Sequence, residues 1–170
     1  MNIIKESTIP KRGDETPHRA LKDYFDERPF LSGLSEQHQQ TLIDCAMLQE
    51  FREGERIFCE GDPANRCYLI LEGEVVLESA VREEDSILIE TIGAGEVLGW
   101  SWLFPPYYWH FAARATKPTK AIFFYGTRLR QLCDQDTSLG YELMKRIASV
   151  VIQRVQATRK ELLKSTHRRS

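Results

Sequence analysis

The spacing of apolar positions changes along this chain, and each change marks a boundary. Residues 1–19 are polar and contain Pro10, Gly13 and Pro17, which reads as a flexible N-terminal arm. Ala20 to Arg28 is compatible with a short helix that Pro29 stops. Ser35 is placed to cap a second helix, because its hydroxyl can accept from an unpaired N–H of the first turn. Glu36 follows where the helix dipole favours negative charge. Leu42, Ile43, Ala46 and Met47 then recur at helical spacing and predict a helix over 35–46.

From Phe51 to Tyr125 the pattern turns to short β-rich runs at Arg56–Cys59, Cys67–Leu71, Glu74–Ala80, Ile87–Ile92 and Ala121–Tyr125. Glycines punctuate them at Gly54, Gly61, Gly73, Gly93 and Gly95. Short strands at this spacing predict an antiparallel sandwich or barrel. After Gly126 the helical period returns. It predicts a short helix over Thr127–Cys133 and a long one from Asp136 to Lys164, with an apolar stripe of Leu139, Leu143, Ile147, Val150, Val151, Val155 and Leu162. The expected fold is mainly β with flanking helices: an antiparallel jelly-roll barrel over 20–164 that carries a long C-terminal helix, then a short basic tail over 165–170.

Composition narrows the function. The 170 residues suit one domain, and a formal charge of −2 gives no general attraction to nucleic acid or anionic membrane. No run approaches a membrane span and no signal-peptide core opens the chain, so a cytoplasmic protein is expected. Cys45, Cys59, Cys67 and Cys133 lack metal-ligand spacing, and no metal site is expected. No nucleophile–base pair and no phosphate-cradling glycine loop is present, so neither catalytic residues nor an enzyme is expected. The Glu83-Glu84-Asp85 cluster reads as a hairpin tip, and His18, His38 and His167 as solvated residues.

One segment stands apart. Gly99 to Phe111 reads Gly-Trp-Ser-Trp-Leu-Phe-Pro-Pro-Tyr-Tyr-Trp-His-Phe and holds all three tryptophans of the chain. The order of helices, strands and glycines around it resembles the cyclic-nucleotide-binding domain of catabolite-activator-type regulators and kinase regulatory subunits. The resemblance rests on Pro29 to Ser35, on Phe51 to Phe58, and on Gly61-Asp62-Pro63-Ala64 followed by Tyr68 to Val75. In that family a glutamate holds the ribose, and an arginine with backbone amides holds the cyclic phosphate. Aligning Gly99 with the cassette glycine puts Trp100 at the glutamate and Trp109 or His110 at the arginine. Starting from Gly95-Glu96 instead puts the arginine near Pro105 and Pro106 and leaves Gly99 without a role, so the first register is preferred. Arg114, in the following strand, is the nearest cation, facing either the pocket or the outside.

Gly99, Trp100, Ser101, Trp102, Tyr107, Tyr108, Trp109, His110 and Arg114 are therefore the candidate ligand- or partner-binding residues of a degenerate cassette. Three roles are open: the rings plug the vacated pocket, stack on a different planar ligand, or anchor a partner protein. Trp100 and Trp102 are expected nearer the core, Tyr107 and Tyr108 at an exposed tip, and His110 in a core or hydrogen-bonding role. The motif itself resembles a divergent bacterial subgroup of single-domain chains that includes the accessory subunit of soluble NAD-reducing nickel–iron hydrogenases. That resemblance implies a non-enzymatic regulatory or accessory subunit of a cytosolic redox complex. It implies no cofactor held in this chain, with NADPH or another nucleotide as the open ligand class. In the regulators it resembles the long helix pairs with its twin, which implies a homodimer through residues 136–164; Met144, Val151 and Thr158, and Ala148, Val155 and Leu162, recur every seven residues and are compatible with that, while packing of the stripe on the barrel or against a different protein stays open. The basic tail stops before a helix-turn-helix could begin, so no DNA recognition is expected. The alternative is a free-standing nucleotide sensor without a DNA-binding module.

Overall fold

A computed structural model describes residues 17–82 and 85–167. Two helices, α1 (Pro17–Asp26) and α2 (Glu36–Ile43), precede eight strands: β1 (Met47–Phe51), β2 (Arg56–Phe58), β3 (Arg66–Glu72), β4 (Glu74–Arg82), β5 (Asp85–Gly93), β6 (Val97–Leu98), β7 (Ala112–Ala115) and β8 (Thr119–Tyr125). Two further helices follow, α3 (Gly126–Gln135) and α4 (Thr137–His167). The strands form two four-stranded sheets, ordered β1-β8-β3-β6 and β2-β7-β4-β5, with every pairing antiparallel. This is the expected mainly-β architecture with flanking helices and a long terminal one.

Side-chain alternation along the central strands builds two cores. In β3 and β8, Tyr68, Ile70, Ala121 and Phe123 point between the sheets, where Val75, Leu77 and Ala113 meet them. Cys67, Leu69, Leu71, Ile122 and Phe124 point the other way, under the helices. There they meet Phe25, Leu42, Leu129, Leu139, Leu143 and Ile147. Strand β3 is therefore covered on both faces, which explains its unbroken apolar run.

Several expectations change. The helix predicted over 35–46 ends at Ile43, and Met47 opens β1 instead. Met47 pairs with Phe123, so the edge of the β8 sheet overrides the local helical spacing. Ser35 does cap α2, accepting from the His38 N–H at 3.2 Å. Helix α1 starts at Pro17, inside the expected arm; residues 1–16 lie outside the described residues. The β4–β5 hairpin forms, but Glu83 and Glu84 at its tip are also outside them, as is the tail from residue 168.

His38 is not solvated. Its side chain is 12% exposed and its Nε2 lies 3.0 Å from Asp136 Oδ2, joining α2 to the start of α4. Asp136 also accepts from the Ser138 and Leu139 N–H groups as a cap of α4. The Leu139 hydrogen bond, ahead of the His38 contact, holds its carboxyl below the ordinary aspartate value. The apolar stripe of α4 divides: Leu139, Leu143 and Ile147 are buried, Val150 and Val151 half-buried, while Val155 and Leu162 are exposed.

Candidate functional site

The segment after β6 leaves the sheet at Gly99 and returns at Ala112, and it is held at both ends. On the outgoing arm the Leu103 N–H closes a turn on the Trp100 carbonyl at 3.0 Å. The Trp102 indole N–H donates back to the Gly99 carbonyl at 3.2 Å. A second turn, Tyr107 N–H to Phe104 carbonyl at 3.0 Å, reverses the chain across Pro105 and Pro106. The returning arm is zipped to residues 61–64 by backbone N–H to carbonyl bonds from Ala64 to Tyr107 (2.7 Å), Trp109 to Asp62 (2.9 Å) and Gly61 to Trp109 (2.8 Å).

The two arms send one tryptophan into each core. Trp102, 1% exposed, packs under the helices, where its Cβ comes so close that a Cβ on Gly126 would stand 2.8 Å away. Trp109, 5% exposed, enters the space between the sheets and stacks flat on Phe58, centroids 3.8 Å apart at 7°. Gly99 makes this possible. It has φ +92°, and a Cβ there would meet the Trp109 ring at 2.5 Å. Gly99 thus has a structural role of its own: it leaves room for the indole.

Between Gly99 and Arg154 lies a void of about 10 Å³, lined by Phe58, Leu77, Gly99, Trp100, Ser101, Trp109, His110, Phe111 and Arg154, while a wide open cleft of about 1570 Å³ shares Phe58 and Trp109 with it and runs along Tyr68, Arg66 and residues 49–57. A small-molecule site needs roughly 300–1,000 Å³. Arg154 is the lone cation in the lining of the void, and it is engaged elsewhere. Its Nε lies 2.7 Å from Glu90 Oε2, and its Nη2 donates to the Val97 carbonyl at 2.6 Å. Glu96, the carboxylate of the rejected register, accepts the Gly93 N–H at 2.6 Å. In this conformation the void between Gly99 and Arg154 leaves no room for a cyclic nucleotide.

The other candidates are dispersed. Ser101 is buried. Tyr108 is 48% exposed at the tip, beside Phe104 at 47%. Tyr107 is half-buried, not fully exposed as expected, because the Arg130 guanidinium covers its ring at 4.2 Å. The φ of Tyr107, +59°, is the one positive value at a non-glycine among the described residues. His110 is exposed, which overturns the core role expected of it: Trp109 takes the inward position and alternation turns its neighbour out. Arg114 stands between inward-facing Ala113 and Ala115 and pairs with Glu78 at 2.6 Å, so it turns away from the pocket.

Sequence reasoning missed three residues. Phe58 is the ring on which Trp109 stacks. Arg130 of α3 donates to the Trp102 carbonyl while covering Tyr107. Arg154 of α4 covers the Trp100 ring at 4.5 Å. A signal for Arg154 was present: it continues the spacing of Leu143, Ile147 and Val150, so a cation sits in the barrel-facing stripe. Among the described residues no cluster of metal-binding side chains occurs, and no helix is long and apolar enough to cross a membrane.

This double-sheet barrel, with a loop between β6 and β7 and two helices after β8, defines the class of cyclic-nucleotide-binding domains. The family model for the cyclic nucleotide-binding domain matches residues 48–136, just over half of the sequence, and the chain belongs to that family. A cAMP-dependent protein kinase regulatory subunit of Hypocrea atroviridis is 31% identical over 86 residues, 51% of this chain but 17% of that protein. A putative cyclic nucleotide-binding protein from Geobacter metallireducens has a solved structure similar at TM-score 0.70 and 28% identity. That similarity covers 83% of this chain and 98% of that one. A cyclic nucleotide-binding domain from Methylobacillus flagellatus shares the fold at TM-score 0.74 and 19% identity, over 87% of this chain and 83% of that one. The chain thus spans less than a fifth of the kinase regulatory subunit it matches.

Proposed function

We propose that this protein is a non-enzymatic regulatory or accessory domain whose nucleotide pocket is filled by its own tryptophan and which acts through protein contacts. The observation that carries the reading is Trp109, stacked on Phe58 over Gly99 where the family's phosphate-holding arginine is expected. Trp100 at the ribose-holding position adds to it, since its ring is already covered by Arg154. The kinase regulatory subunits it resembles supply the regulatory half of the reading. Phe104 and Tyr108 supply the exposed aromatics a partner would grip.

Titration calorimetry with cyclic AMP tests the plug. Each lost charge-assisted hydrogen bond is worth about 1.5–3 kcal/mol, and two are lost, so affinity should fall by a hundredfold or more. No saturable binding is expected at micromolar ligand. Micromolar or tighter binding would show that Trp109 leaves the pocket and would overturn the reading. The partner is read as a subunit of a cytosolic multisubunit redox enzyme. Attachment to a soluble NAD-reducing hydrogenase, and any contact with NADPH, rest on the motif of Gly99 to Tyr107 with Trp109-His110-Phe111 alone. Gentle purification from the native host, with identification of the co-purifying chains, tests that partner. Pairing of two copies through residues 136–164 is supported by the exposed Tyr141, Met144, Val155 and Leu162 on α4 and is tested by sedimentation equilibrium.

A further inference from the structure

The wide cleft beside the void opens between the two sheets, along the edges of β1 and β2. Each of these strands has one neighbour, β8 for β1 and β7 for β2, so the barrel stays open on this side. Among the described residues, nothing from β4, β5, α3 or α4 lines the cleft. It is thus set apart from the void between Gly99 and Arg154, although Phe58 and Trp109 form a wall of both.

Alternation along the strands decides which side chains turn inward here. On β1, Met47, Gln49 and Phe51 stand opposite Phe123, Ala121 and Thr119 and share their face. On β3, Arg66 precedes Tyr68 and Ile70 on the face between the sheets. Two inward positions are therefore polar, Gln49 and Arg66, where packing alone calls for apolar side chains. The Arg66 guanidinium lies over the Phe123 ring at 4.2 Å, and its Nη1 donates to Gln49 Oε1 at 3.0 Å. It also donates to the Tyr68 hydroxyl, whose pKa burial pushes up, so the phenol keeps its proton. Both partners are neutral, and among the described residues no carboxylate pairs with Arg66. Arg114 and Arg154, by contrast, have Glu78 and Glu90. A half-buried guanidinium without a counter-charge is costly until an anion completes its shell.

That cation stands beside a tier of flat rings. Tyr68 stacks on Phe58 at 6.4 Å and 28°, and Phe58 on Trp109 at 3.8 Å and 7°. The cleft volume of about 1570 Å³ exceeds the roughly 300–1,000 Å³ of an enclosed site, so a small ligand occupies its inner end only. Charge limits what that ligand is. Five acidic and four basic side chains line the cleft, and Glu50 already meets Lys120 at 3.8 Å. Such a lining repels a polyanion, whereas a single negative charge needs only Arg66.

We propose that the cleft between β1 and β2 binds a small aromatic monocarboxylate, its carboxylate on Arg66 beside Gln49 and Tyr68 and its ring along Tyr68, Phe58 and Trp109. The flat fork of the guanidinium matches a carboxylate through paired N–H donors. Trp109 then serves two spaces, closing the void with one part of its surface and walling the cleft with another. The site goes beyond the regulatory reading above and does not rest on it.

Nuclear magnetic resonance on the full chain tests the site, because the three tryptophan indole N–H signals report separately once assigned by Trp→Phe substitution. Titration with 2-naphthoate should move the Trp109 signal saturably, with a Kd below about 1 mM. Trp100 and Trp102, which do not line the cleft, should hold still. The uncharged 2-naphthamide should bind at least about tenfold more weakly, and Arg66→Met should bring the carboxylate down to the level of the amide. The dianionic 2-naphthyl phosphate should bind no better than 2-naphthoate. No saturation by about 5 mM overturns the site. So do equal binding of acid and amide, movement of Trp100 or Trp102 in place of Trp109, or tighter binding of the phosphate. A preference for the acid that survives in Arg66→Met overturns it as well. The comparison of acid with amide uses the unaltered chain, so it decides even where Arg66→Met does not fold.

Discussion

Trp102 and Phe104 stand two residues apart in one loop, yet one is 1% and the other 47% exposed. The same contrast holds on the return, between Trp109 at 5% and its neighbour Tyr108 at 48%. The arms of the loop are part of the fold: each carries a tryptophan that completes one of the two cores. The tip is a presented surface, with its backbone satisfied by a turn and its rings left in water. An aromatic-rich segment is thus not one feature. Its rings are sorted by whether a facing element has yielded space, as Gly99 and Gly126 have for the two buried indoles. The exposed rings have no such counterpart.

The comparison breaks hardest at Trp109. Trp109→Ala should cost about 3–5 kcal/mol, because it empties the space between the sheets and strips Phe58 of its stacked partner. Denaturant unfolding measures this, and a cost near that of a surface substitution would mean the arm is not part of the core. Gly99→Ala comes next, at about 1–3 kcal/mol, from a Cβ forced against the indole and a left-handed backbone that alanine resists. The pair should be less than additive, because removing the indole removes the collision while leaving the backbone strain. Full additivity would show that the collision is relieved by movement elsewhere. The smallest effect is expected at the tip. Phe104→Ala and Tyr108→Ala should each change stability by about 0.5 kcal/mol or less. In the native complex the same changes should weaken association by about 2 kcal/mol if the tip is the anchor. Retention of the partner at unaltered affinity would move the contact to α4.

Much of the fold was legible in the linear pattern. The glycine-punctuated β runs, the Ser35 cap and the late return of helical spacing are local signals, and local hydrogen bonding and burial suffice to impose them. The lack of an arginine and of a glutamate between Gly99 and Phe111 was legible too, because it is a property of residue identity. The end of α2 was not, since Ala46 and Met47 keep helical spacing and only the edge of the β8 sheet draws Met47 into β1. Nor was the burial of His38, which depends on Asp136, 98 residues away.

Residue types alone left three roles open for the aromatic segment and a preference, without proof, for one register. Which tryptophan plugs the barrel, which packs under the helices and which is gripped by Arg154 are outcomes of packing. A ring's surroundings are set by elements distant in sequence: Phe58 on β2, Gly126 at the head of α3 and Arg154 more than fifty residues downstream. Sequence determined that this family member carries a run of aromatic rings between Gly99 and Phe111. Tertiary structure decided that Trp109 stacks on Phe58 between the sheets, that Trp102 packs under the helices and that Arg154 covers Trp100, because all three results need contacts that exist only when the sheets and helices have come together.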